Sequence, residues 1–234
     1  MKIGIIGAME EEVSILLNEM EECVEHKYVG TIFNEGLING VDVVITQCGV
    51  GKVNASIAAS VLISIFECDF IINTGIAGGY GLNTRDVVLG SKISYYDADV
   101  TIFGYPFGCI PGMPKDFLPS IEGELFVKSI LRKLNIEYKS VPIYSGDSFI
   151  TSLEQLKKVD YPSSFATEME GAAIAQTCTK AGIGFVILRY ISDCIGSESQ
   201  IDNYNEFEEE MAHQSAKICL QIINNVEFIW NIML

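Results

Sequence analysis

MKIGIIGAMEEEV, residues 1–13, decides the fold. Lys2–Ile6 is a short apolar run that closes on Gly7-Ala8 and reads as a buried strand. Glu10–Met20 follows at once, with Val13, Leu16, Leu17 and Met20 at helical spacing. A buried strand feeding straight into a helix is the unit of α/β architecture. The same unit recurs outward along the chain. Lys52–Phe66 reads as helix and Phe70–Asn73 as a buried strand that ends in the turn Gly75-Ile76-Ala77-Gly78-Gly79. Val87–Tyr96 and Tyr138–Tyr144 read as strands, with a helix over Glu122–Leu134 between them. Helix Glu170–Ala181 leads into a strand over Gly184–Ile191, and Asp202–Asn225 is a long amphipathic helix. Val29–Leu37 and Val41–Gln47 flank Asn39-Gly40, a hairpin signal. Asp97–Pro119 is a long loop rich in Gly, Pro and aromatic residues. The order predicts one α/β domain over residues 1–234, a three-layer α/β/α fold with a mixed central sheet and an added hairpin.

Composition narrows the function. Of 234 residues, 49% are hydrophobic, ample for one core. The richest run, Val61 to Gly79, is broken by Glu67, Asp69 and Asn73, so no bilayer span is expected. The first strand runs into three glutamates rather than a signal sequence, and a cytoplasmic protein is expected. Lys and Arg total 15 against 31 Asp and Glu, a net −16 that disfavours nucleic acid. The only arginines are Arg85, Arg132 and Arg189, few for gripping a polyphosphate. Seven scattered cysteines without C-x-x-C, and two distant histidines, predict no metal site.

Several short motifs carry chemistry. Gly4 and Gly7 lack the G-x-G-x-x-G spacing of a dinucleotide site. Gly49-Val50-Gly51-Lys52 lacks the spacer of a phosphate loop, and Val53 stands where Ser or Thr would hold magnesium. Glu10-Glu11-Glu12 suits a helix N-terminus electrostatically. Successive helix residues point about 100° apart, so one of the three can face inward as a general base. The backbone of Gly75–Gly79 suits close approach to a flat ligand. Glu168-Met169-Glu170 brackets a soft apolar side chain with carboxylates, a pattern that suits a sugar diol. Arg189 and Asp193 end an apolar strand. They read either as a salt bridge or as a partly buried Asp with a raised pKa that can donate a proton.

Together these stretches resemble the 5′-methylthioadenosine/S-adenosylhomocysteine nucleosidases of the purine nucleoside phosphorylase superfamily. The resemblance rests on residues 1–13, GVGKVNA at 49–55, INTGIAGG at 72–79, YYDADVTIFGY at 95–105, SGDSFI at 145–150, ATEMEGAAIAQ at 166–176 and RYISD at 189–193. It implies a nucleoside phosphorylase-like fold and hydrolytic release of adenine, without a cofactor. Glu12 would activate water, and Asp193 would protonate adenine N7, oriented by Ser192. Glu170, bordered by Glu168, would hold the ribose hydroxyls, with Met169 packed on the sugar. Phe149 would stack on adenine and Ile150 would bind its edge through backbone groups. Met9, Val50, Ile76, Ala77 and Gly78 would line the remaining walls, Arg189 would position the water, and Tyr204 would lie in a closing lid. The family is dimeric, and Phe103 and Pro111 match positions that complete the neighbouring subunit's pocket. One position departs: Ile76 stands where the family usually carries Ser or Thr. Phosphorolysis, binding without cleavage and hydrolysis of an aminodeoxyfutalosine stay open as alternatives. The tail Phe228–Leu234 is expected to pack on the core or the partner.

Overall fold

The computed structural model describes residues 1–226. The Phe228–Leu234 tail lies outside the described residues. β1 (Ile3–Gly7) is fully buried and pairs in parallel with β4 (Val41–Gln47) on one side and β5 (Phe70–Asn73) on the other. β5 in turn pairs with β10 (Gly184–Cys194), the longest strand at 11 residues. This parallel centre is built from the near-continuous apolar runs that burial on both faces demands.

The layers are those the sequence predicts. α2 (Lys52–Ser64) and α4 (Gly171–Ala181) cover one face and present small residues, Ala55, Ala58, Ala59, Ala172 and Ala175, to the sheet and to each other. α1 (Glu10–Asn18), α3 (Ile121–Lys133) and α5 (Gln200–Ile223) cover the other face through Val13, Leu16, Phe126, Ile130, Cys219 and Ile222. No helix among the described residues is long and apolar enough to cross a membrane.

The structure adds strands that the sequence pattern misses. β2 (Glu21–Tyr28) is an exposed edge strand paired antiparallel with β3 (Thr31–Ile38). Its turn is Val29-Gly30, both at positive φ, so Val29 is a turn residue and not the start of a strand. A β-branched residue in that conformation is a poor turn signal. Asn39-Gly40, also both at positive φ, closes the expected β3–β4 hairpin. The glycine-rich stretch expected as a turn is β6 (Ile76–Tyr80), which pairs with β10 in parallel and with β9 (Phe165–Glu168) antiparallel. β8 (Lys139–Ser145) joins β9 to β7 (Val87–Tyr95), and β7 pairs back with β10. The second half of the sheet therefore closes on itself.

β10 has one irregularity in its pairing with β6. Ile191 lies opposite Ala77 and Asp193 opposite Gly78, so Ser192 is an extra residue, a bulge. Bulges re-aim side chains, and this one sits where β10 delivers its polar residues.

Candidate active site

The ends of β1, β6, β9 and β10 converge on one cavity of about 90 Å³. Its lining includes Met9, Glu12, Val50, Ile76, Ala77, Gly78, Phe149, Glu168, Met169, Glu170, Ser192, Asp193 and Tyr204. Residues spread from 9 to 204 thus meet at the strand ends, where α/β folds place their sites.

Of the three glutamates that open α1, Glu12 alone is buried. Its Oε2 accepts N–H bonds from Ala8 (2.6 Å) and Met9 (3.1 Å), and its Oε1 accepts one from Ile76 (3.1 Å). Backbone from two strand ends therefore fixes both oxygens. Gly75 makes this possible: a β-carbon there would collide with Oε1. Burial pushes the Glu12 pKa up, against the Arg189 charge and the three N–H bonds.

Asp193 is fully buried at the end of β10. Ser192 Oγ donates to its Oδ1 (2.7 Å), and Gln200 Nε2 donates to its Oδ2 (2.7 Å). Burial pushes its pKa up, and these two bonds pull it down in part. Gly78 lets β6 pass close by, since a β-carbon there would lie 3.1 Å from Oδ2.

Glu168 and Glu170 have different surroundings. Glu168 Oε2 takes bonds from Arg189 Nη2 (2.5 Å), Gly171 N (2.7 Å) and Glu170 N (3.0 Å), and Ser145 Oγ donates to Oε1. Protein donors thus hold both oxygens, although the residue borders the cavity. Glu170 keeps one protein contact, from Gly51 N to Oε1 (2.8 Å). Burial and the neighbouring Glu168 push its pKa up to about 8.

Arg189 pairs with Glu168, not with Asp193 four residues on. This corrects the salt-bridge reading of the strand end. Its Nη atoms also bond Asn73 and the Leu188 carbonyl, which leaves buried Nε without a protein partner. Phe149 meets Tyr204 edge-on at 5.2 Å across the mouth. Ile150 is buried behind Phe149, and its carbonyl accepts from Gln200. Phe103 and Pro111 lie exposed on the 97–119 loop and do not line this chain's cavity.

Sequence reasoning missed Asn73, Ser145 and Gln200. Each is a neutral residue that acts through another, and no spacing marks it. Glycine density does mark the walls that backbone must approach closely. Among the described residues, no group of three or more His, Cys, Asp or Glu could hold a metal ion.

The Phosphorylase superfamily profile matches residues 2–224. A 5′-methylthioadenosine/S-adenosylhomocysteine nucleosidase from Staphylococcus aureus is 41% identical over 228 residues, covering 96% of this chain and 100% of that protein. The crystal structure of such a nucleosidase from Neisseria meningitidis, in complex with methylthio-immucillin-A, has TM-score 0.90 and 36% identity, covering 96% of this chain and 99% of that one. A futalosine hydrolase structure from Helicobacter pylori has TM-score 0.89 and 28% identity, covering 96% and 97%.

Proposed function

The chain belongs to the phosphorylase superfamily, among its 5′-methylthioadenosine/S-adenosylhomocysteine nucleosidases, and from that premise we propose that it hydrolyses the N-glycosidic bond of both nucleosides. The products are adenine and the 5′-thio-substituted ribose. The observation that carries this reading is the pair Glu12 and Asp193, two buried carboxyls with raised pKa values lining one cavity.

The chemistry follows from the leaving group. Adenine departs poorly until a ring nitrogen is protonated, so the reaction needs an acid that keeps its proton near neutral pH. Burial raises the Asp193 pKa, which is the direction that role requires. As the C–N bond lengthens, positive charge grows on the ribose. A Glu12 carboxylate is then stabilised most by that cation, which favours the transition state over the bound substrate, while Glu170 takes the ribose hydroxyls. Glu12 takes a proton from the attacking water. The unpartnered Arg189 Nε supports a role in orienting that water.

Hydrolysis is favoured over phosphorolysis because no guanidinium is free to grip phosphate. Arg189 spends its terminal nitrogens on protein partners, and Arg85 and Arg132 are exposed elsewhere. Adenine released from methylthioadenosine in phosphate-free buffer tests this. Release only when phosphate is added would make the enzyme a phosphorylase. The fold shared with a futalosine hydrolase makes a futalosine-type nucleoside the second substrate to assay.

The active form on this reading is a homodimer. A groove of about 410 Å³ opens beside α2 and α4, lined in part by Val53, Ile57, Ala98 and Ile110. Ile102 and Phe103 project beside it, 88% and 78% exposed. Such a patch on a chain of net charge −16 supports burial against a second copy, with Phe103 and Pro111 closing the neighbour's 5′ pocket. Sedimentation should give a dimer, and Phe103→Ala should raise KM more than it lowers kcat. The seven free cysteines suit the reducing cytoplasm, where the thio-sugar would enter methionine salvage.

A further inference from the structure

Gln200 opens α5 and is 3% exposed. Its Nε2 donates to Asp193 Oδ2 (2.7 Å) and to the Ile150 carbonyl (2.8 Å), and its Oε1 accepts from Gly196 N (2.9 Å). This pattern fixes the amide's orientation, because the flipped group would set its oxygen against the Ile150 carbonyl and its nitrogen against the Gly196 N–H. One NH2 group thus bridges two acceptors, of which Asp193 lines the cavity. The cavity itself holds only about 90 Å³, against the ~300 Å³ or more of a typical small-molecule pocket.

The purine supplies the same chemistry. Its 6-amino group lies on the edge that carries N7. An acid that reaches N7 therefore has its other oxygen beside that NH2 group. A neighbouring carbonyl such as that of Ile150 completes the pair of acceptors. Resting on the nucleosidase reading above, we propose that Gln200 is a built-in competitor for the base. In the empty enzyme its carboxamide satisfies Asp193 and Ile150 in place of adenine's amino group, and adenine binds by displacing it.

The placement explains why the plug sits on α5. Asp193 Oδ2 and the Ile150 carbonyl are buried acceptors, and leaving them bare in the empty site would be costly. The first turn of α5 carries both Gln200 and, four residues on, Tyr204 at the mouth. The plug also selects, since two acceptors welcome an amino group and oppose a 6-oxo group.

Affinity reports the competition. A plug seated in about nine of ten empty molecules weakens adenine about tenfold, because only the open fraction binds. The test is calorimetric titration of the full chain with adenine, alongside Gln200→Ala and Gln200→Asn. The Asn variant keeps the amide but is one carbon too short to reach both acceptors. Both variants should bind adenine about tenfold more tightly than the wild type. Both should also melt lower when empty and show a larger adenine-induced rise in Tm. Damage to the fold would not tighten binding. Equal or weaker adenine binding by both variants, with the wild type binding normally, overturns the plug alone. A wild type that binds no adenine overturns the nucleosidase reading and the plug with it.

Discussion

Glu12 and Asp193 line the same cavity and are both lifted by burial, yet the chain holds them by different means. Three backbone N–H groups grip Glu12, and no substitution other than proline can remove them. Two side chains, Ser192 and Gln200, grip Asp193. The difference matches the tasks. A base needs fixed dipoles that support its anion at every turnover. An acid must start each turnover protonated, and the rotatable Ser192 hydroxyl can turn to accept from the protonated form. The base wall is therefore written in the fold and the acid wall in the residues.

The largest effects should come from removing either group. Asp193→Asn and Glu12→Gln should each lower kcat by roughly 10²–10⁴, the usual scale for a lost general acid or base. Methylthioadenosine binding by both variants, measured by calorimetry, should survive. Undiminished turnover in either would remove that residue from its role.

Next comes the cation behind the base wall. Arg189 and Glu168 form an ion pair whose side chains are 2% and 3% exposed. Arg189→Met strands a buried carboxylate at a cost of about 3–5 kcal/mol. Thermal unfolding should show a Tm lower by roughly 10 °C. Because Arg189 pulls the Glu12 pKa down, its loss raises that pKa. The base must be ionised to act, so the acidic limb of the pH–rate profile should move to higher pH.

Gly75→Ala probes the backbone grip directly. The new methyl meets Glu12 Oε1, so activity should fall about 10²-fold through the misplaced base. If turnover is unchanged, the fixed position of Glu12 does not matter.

The smallest effect should come from the acid wall. Ser192→Ala removes a donor that favours ionised Asp193, so the Asp193 pKa rises further. The acid form is the active one, and the alkaline limb should move to higher pH, with a rate loss of about tenfold. An alkaline limb that stays fixed would show that another group sets it.

The same contrast governs what sequence could reveal. Glu12 is legible because helix geometry turns one of three glutamates inward. Which one depends on the N–H of Ile76, 64 residues away. Asp193 is legible as a polar residue ending an apolar strand. Its partner Gln200 is not, because nothing local marks a neutral amide as facing a carboxyl. The partner of Arg189 is hidden for a related reason. Proximity in sequence favours Asp193, whereas the sheet brings up Glu168 from β9, a strand too short to show a period. β2 hides similarly: an exposed edge strand reading EECVEHKY has no buried face to impose alternation. The central strands β1, β5 and β10 are plain because burial on both faces leaves them little but apolar residues.

The bulge at Ser192 has an evolutionary consequence. Upstream of it β10 is locked to β5 and β7, and downstream it aims Asp193 past Gly78. Substitution along this stretch can be graded, but loss or gain of one residue cannot. Deleting Ser192 would restore regular pairing and strip Asp193 Oδ1 of its donor in one step. Homologous chains should therefore vary in length freely within residues 97–119 and keep the count from Arg189 to Asp193 constant, a spacing inherited as a unit.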